Sequence, residues 1–158
     1  MKEENLTQEQ QYLRYGCMPR CIEELAARMN VSLDETEFTK LVKAASSMKL
    51  NQYGCIRLSD VIDLGRYFSL FSNADSLRDF KKMKELFGQG VRKALLLTER
   101  SRNQEGELHH LYHCSLVTDF PKSGGVEIWS PLQNGDSVEI VMHEEEYENR
   151  LGHFVVLT

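Results

Sequence analysis

A cysteine, a histidine and a glutamine stand in this chain where thiol chemistry would need them. Cys17 follows Gly16 at the point where helical periodicity begins. The N-terminus of a helix offers free N–H groups and the positive end of the macrodipole, and both favour a thiolate. A thiol hydrolase needs that thiolate exposed, and Cys17 is the candidate nucleophile. It also needs a base that takes the thiol proton and later delivers it to the leaving group. His113 opens the apolar run His113-Cys114-Ser115-Leu116-Val117, a strand able to face a helix lying against a sheet. The third need is a donor for the tetrahedral oxyanion, which a neutral amide supplies together with the nucleophile's own backbone N–H. Gln11, six residues before Cys17, is the candidate, with Gln8 and Gln10 as alternatives.

The remaining thiols and imidazoles read as structural. Cys21 lies one helical turn beyond Cys17 and is expected in the core. Cys114 alternates with His113 along a strand, so it points to the opposite face. Cys55, after Gly54, is expected in the core and is the second choice of nucleophile. Four cysteines allow two disulfides on paper, but a chain of this length has no need of them, and thiols are expected. His109, His110, His113 and Cys114 fit no finger or zincin spacing, and on a strand His110 would face away from His109 and His113. No metal site is expected, and the chemistry requires no metal or organic cofactor. His143 and His153 read as surface or satisfied core residues.

The first half must supply the helix that carries Cys17. Apolar residues recur at three- and four-residue spacing through Cys21-Ile22-Glu23-Glu24-Leu25-Ala26-Ala27-Arg28-Met29, and Pro19 is tolerated in a first turn. The pattern predicts a helix from near Cys17, a second over about 34–48 with capping residues before it, and a third over about 59–66 with Ser59 as cap. A short strand near 68–71 and a helix over about 75–87 follow, the helix stopping at Gly88-Gln89-Gly90. The second half turns β-like, with strands near 92–98, 111–118, 126–129, 137–141 and 153–157. Gly and Asn clusters at 103–106, 122–125 and 133–136 separate them, and Gly124-Gly125 reads as a hairpin turn. Helices over about 1–90 and an antiparallel sheet over about 91–158 make an α+β plan, expected as one domain over 1–158.

Composition excludes several function classes. A hydrophobic fraction of 41% with 27% charged residues is that of an ordinary globular chain, able to bury a core at 158 residues without staples. The net charge of -5 argues against a nucleic-acid footprint. The densest basic stretch, Arg78 to Lys84, is expected to be a solvated helix face. No apolar run reaches the roughly 18–20 residues of a membrane span, so no membrane insertion is expected. The opening Met1-Lys2-Glu3-Glu4-Asn5 lacks the apolar segment of a secretory signal. A cytoplasmic location, or delivery into a target cell without a cleavable signal, is expected.

The segment Gln11-Tyr12-Leu13-Arg14-Tyr15-Gly16-Cys17-Met18-Pro19-Arg20-Cys21-Ile22 resembles the opening of the papain-like peptidase domains that cut double-glycine leaders at the front of bacteriocin-exporting ABC transporters. Those begin with Gln, five residues, then Cys-Gly-x-x-Cys-Leu. The later order is similar: helices, a His followed by apolar residues at His113, then Val126-Glu127-Ile128-Trp129-Ser130-Pro131-Leu132-Gln133-Asn134-Gly135 in the place of an apolar strand, an Asp-Pro pair and a Gly. The stretch Glu144-Glu145-Glu146-Tyr147 to Leu157 is similar to the family's closing helix and strand. Two residues depart. Met18 replaces the usual Gly and narrows the site. Ser130 replaces the Asp that orients the imidazole, and its hydroxyl, or Asn134 or Asp136, is the substitute.

The resemblance implies a papain-like fold and a cysteine hydrolase acting through Cys17, His113, Gln11 and Ser130, with Trp129, Met18 and Asn134 lining the substrate site. The substrate would be a peptide or protein, cleaved at a peptide bond or deamidated at glutamine. Without the transporter's membrane and nucleotide-binding domains, the chain is expected to act alone or with a separate partner, as a processing peptidase or as a bacterial effector or toxin on a host or target-cell protein. The alternative is a catalytically inactive papain-like recognition module that holds a peptide or protein, favoured by the Ser130 departure and opposed by the retention of Gln11, Cys17 and His113.

Overall fold

The computed structural model describes residues 16–47, 58–99, 112–132 and 135–158. Helix α1 (Cys17–Arg28) forms because Cys17, Cys21, Ile22, Leu25 and Ala26 make one buried stripe. Helix α2 (Glu35–Ser47) is capped by Asp34, whose Oδ1 accepts the Glu37 N–H at 3.1 Å. Helix α3 (Leu58–Tyr67) buries Val61, Leu64 and Gly65. It starts one residue earlier than the sequence predicts, so Ser59 lies inside it and is not its cap.

The apolar run 68–71 is not a strand. Ser69 adopts φ 56°, its N–H reaches Arg66 O at 3.2 Å, and Leu70 N–H reaches Gly65 O at 2.8 Å, which is a Schellman ending for α3. Leu70 and Phe71 are apolar because they plug the core from this turn. The helix expected from 75 is also corrected. Strand β1 (Ala74–Leu77) comes first, and α4 (Phe80–Gly88) starts only after Asp79, whose side chain accepts the Lys82 N–H. Arg78 therefore precedes the helix, and its carbonyl accepts the Tyr147 hydroxyl at 2.6 Å.

Strands β2 (Ala94–Glu99), β3 (Tyr112–Asp119), β4 (Val126–Pro131) and β5 (Ser137–Met142) precede α5 (Glu144–Asn149) and β6 (His153–Leu157). They build one antiparallel six-stranded sheet in the order β1-β6-β2-β3-β4-β5, so the chain is α+β. Gly124 at φ 105° and Gly125 at φ 77° turn β3 into β4. The turn glycines expected at 103–106 lie outside the described residues.

Alternation along the strands divides the core in two. Leu95, Leu97, Cys114, Leu116, Trp129, Val155 and Leu157 pack under α1, α2 and α3. Ala94, Leu96, Val117, Val126, Ile128, Phe154 and Val156 pack on the other side against Phe80, Met83 and Phe87 of α4 and Tyr147 of α5. Each fully buried large side chain stabilises the fold by about 1.5–3 kcal/mol. No described helix is long and apolar enough to cross a membrane.

Candidate active site

Gly16 enters α1 at φ 81° and ψ -172°, a backbone state that favours glycine, and it brings no side chain to cap the first turn. That turn is where backbone N–H groups lack helical acceptors, and Cys17 is its first residue. Cys17 Sγ accepts the Cys114 N–H at 3.1 Å. A strand N–H lies in the plane of the sheet, so the sulfur sits level with β3 and beside the peptide joining His113 to Cys114. Backbone dimensions then put it within about 5.5 Å of the His113 Cα, while the His113 side chain leaves β3 on the face opposite to Cys114 and the helix-side core. A donated N–H and the helix N-terminus both favour negative charge on this sulfur.

The thiol is less open than the sequence led us to expect. Cys17 is only 3% exposed and belongs to the core beneath the helices. Cys21 and Cys114 are fully buried in the same core, and Cys21 Sγ donates to Cys114 O at 3.5 Å. Burial pushes the Cys21 thiol up, outweighing the lowering effect of that bond, which suits a structural thiol.

His113 is half-buried, and its Nε2 lies 2.6 Å from Ser130 Oγ. Ser115 Oγ donates to the same Ser130 oxygen at 3.1 Å. His113 pairs with Thr98 across β2 and β3, so Thr98, His113, Ser115 and Ser130 share one face of the sheet. Thr98, Ser115 and Ser130 are the buried polar side chains among the described residues: Thr98 lies opposite His113 in the register, Ser130 meets its ring, and Ser115 bonds Ser130. With Nε2 on Ser130, the other ring nitrogen, Nδ1, is the one nearer the backbone.

Arg20 braces the start of α1, and sequence reasoning passed it over. Its guanidinium donates to the carbonyls of Leu132 (3.1 Å), Gly135 (2.8 Å) and Asp136 (3.3 Å), tying the start of α1 to the loop after β4. It also lies over the Trp129 ring at 5.9 Å. A basic residue this near a helix N-terminus opposes the macrodipole, and that local conflict was the available signal.

Ser130, rather than Asp136, meets the imidazole at Nε2, while Asp136 offers its backbone carbonyl to Arg20 and to the Leu132 N–H. Trp129 is buried on the helical side. Met18 is partly buried against the same core. Gln11, Asn134, Cys55, His109 and His110 lie outside the described residues. Among the described residues no group of three His, Cys, Asp or Glu side chains is placed to hold a metal ion. Comparison with protein-family models, with curated proteins and with solved structures found no match.

Proposed function

We propose that this chain is a papain-like thiol hydrolase of amide bonds, with Cys17 as nucleophile, His113 as acid and base, and Ser130 as the residue that orients the imidazole. The observation that carries the reading is the convergence of two chains of contact on one peptide unit. Cys17 Sγ takes the N–H beside His113, and the imidazole Nε2 meets the Ser130 hydroxyl, which the Ser115 hydroxyl in turn supports. In the proposed tautomer Nε2 donates its proton to Ser130, and Nδ1 is the nitrogen that takes the thiol proton.

In acylation, Cys17 Sγ bonds to the carbonyl carbon of the substrate amide, the C–N bond breaks, and His113 passes the thiol proton to the departing nitrogen. The Cys17 backbone N–H supports the oxyanion, with Gln11 as its proposed second donor. Water then adds to the thioester with His113 taking its proton. The C–S bond breaks, acid product leaves and the thiol is restored. A peptide substrate would lose an amine, and a glutamine side chain would lose ammonia.

The test is product analysis on a denatured protein digest incubated with the full chain. New peptide termini or glutamines converted to glutamates, absent with Cys17→Ala, are the expected result. A second reading, an inactive recognition module, is favoured by the burial of Cys17 and by the uncharged residue at position 130. Peptide binding without any product in either form would establish it and overturn the hydrolase.

A further inference from the structure

A cavity of about 590 Å³ opens along the outer side of α1, between that helix and the segment entering α2. Its volume falls within the roughly 300–1,000 Å³ of small-ligand sites. Ala26, Val31, Leu33 and Phe38 give it an apolar lining, and Trp129 forms part of its wall. Two of its lining residues are close in sequence to residues of the proposed active site. Arg20 lies three residues after Cys17 on one helix, and Trp129 immediately precedes Ser130 on β4.

The charges on the wall are unevenly committed. Arg20, Glu23, Glu24 and Glu35 are its titratable residues. The Arg20 guanidinium is turned onto three backbone carbonyls and the Trp129 ring, and Glu24 pairs with Arg28 at 3.4 Å. Glu23 and Glu35 remain to face an occupant. Glu23 is exposed as a residue, yet the surrounding walls of the concavity desolvate its carboxyl and push it up to about 7, against the pull of Arg20 and with the help of Glu35. A cation entering between these two carboxylates would relieve both penalties, and a methylene stem would cover the apolar lining.

We infer that this cavity is a substrate subsite that takes a basic side chain, lysine or arginine, of a peptide or protein. The inference rests on the hydrolase reading for its place in a reaction, but the binding itself does not. The fit combines an aromatic and aliphatic wall for the stem with two carboxylates for the head group. It predicts that the amide bonds attacked lie near basic residues.

The experiment is an NMR titration of the full-length Cys17→Ala chain, so that absence of catalysis has no influence on the outcome. The probes are the N-acetyl methylamides of arginine, lysine, norleucine and glutamate, together with putrescine. Resonances of Ala26, Ala27 and the Trp129 indole should shift with the arginine and lysine probes at pH 8, and weaken as the pH falls below 7 and Glu23 takes up its proton. Norleucine should bind less tightly and glutamate not at all. Glu23→Gln and Glu35→Gln should each weaken the basic probes roughly two- to fivefold and leave norleucine unchanged. Equal binding of norleucine, preference for glutamate, or no shift with any probe overturns the inference. Putrescine binding more tightly than both basic probes would assign the cavity to a free diamine and overturn the peptide subsite. Failure of product formation in the digest, with these shifts intact, would sink only the hydrolase.

Discussion

One face of the sheet has two ends of different chemistry. At one end Phe154 stacks on Tyr147 at 5.0 Å between ring centres, and Phe80 meets Tyr147 at 5.3 Å and Phe120 at 5.5 Å. The single polar atom on those rings, the Tyr147 hydroxyl, is satisfied by Arg78 O, and burial holds its pKa above the ordinary tyrosine range. Gly152 leaves room for the Tyr147 ring, which a Cβ there would meet at 2.4 Å. At the other end β2, β3 and β4 bury Thr98, Ser115 and Ser130 on the face that carries the His113 imidazole, which Ser130 meets. Buried hydroxyls contribute little to stability beyond offsetting their own desolvation, whereas aromatic rings contribute directly through burial. The aromatic end shows what packing alone selects on this scaffold, and the hydroxyl end departs from it where a thiol reaches the sheet.

Substitution at the two ends should separate rate from stability. The largest effect belongs to Cys17→Ala, which should lower product formation at least roughly a thousandfold in the folded fraction, measured by single-turnover assay, while the loss of the buried sulfur that accepts the Cys114 N–H costs only about 1–3 kcal/mol of stability. Phe154→Ala should do the reverse. It empties part of a close-packed aromatic cluster, costs about 3–5 kcal/mol in denaturant unfolding, and leaves the pH profile of the folded fraction as it was. A smaller effect is expected of Ser130→Ala, which deprives the Ser115 hydroxyl and the His113 Nε2 of one shared partner. It should cost about 1–3 kcal/mol of stability and also slow the reaction of Cys17 with alkylating agents. Loss of stability with an unchanged alkylation rate would place Ser130 with the packing residues and dissolve the contrast.

The smallest effect lies away from both ends. Glu23 has its folded-state pKa raised to about 7 from the ordinary 4.5, chiefly by desolvation. Between those values the folded chain holds a proton that the unfolded chain releases, so this group's contribution to stability is present below about 4.5 and lost as the pH rises to about 7. Glu23→Gln should therefore raise the thermal midpoint at pH 8 and leave it unchanged at pH 4, read by calorimetry.

The elements that hold this site were legible to different degrees. The stripe Cys17, Cys21, Ile22, Leu25, Ala26 announces α1, and the alternation around His113 and Trp129 announces β3 and β4, because in both cases local period and tertiary burial agree. The segment 68–79 misled for a physical reason. Its apolar residues serve a helix ending rather than a strand, and the strand that follows, Ala74–Leu77, is a half-exposed edge of four residues with no apolar alternation. Asp79 was the missed cue, a capping side chain three residues before the N–H it accepts. Within the candidate site, Cys17 and His113 could be named from residue type and placement, and Ser130 only from its place in the family resemblance. Arg20, Ser115 and Thr98 could not, since their roles come from contacts between residues far apart in the chain. The burial of Cys17 was likewise invisible, because it follows from how β3 lies against the start of α1.

The central claim is that Cys17 and His113 act as one coupled site, and the most direct test is the rate of iodoacetamide alkylation at each cysteine, followed by peptide mass mapping from pH 5 to pH 10. The account predicts that Cys17 reacts ahead of Cys21 and Cys114, that its rate persists well below the ordinary thiol range near about 8.5, and that His113→Ala restores a single rise near that value. Cys17 reacting no faster than the other two buried thiols, or with the same pH profile in wild type and His113→Ala, would contradict it.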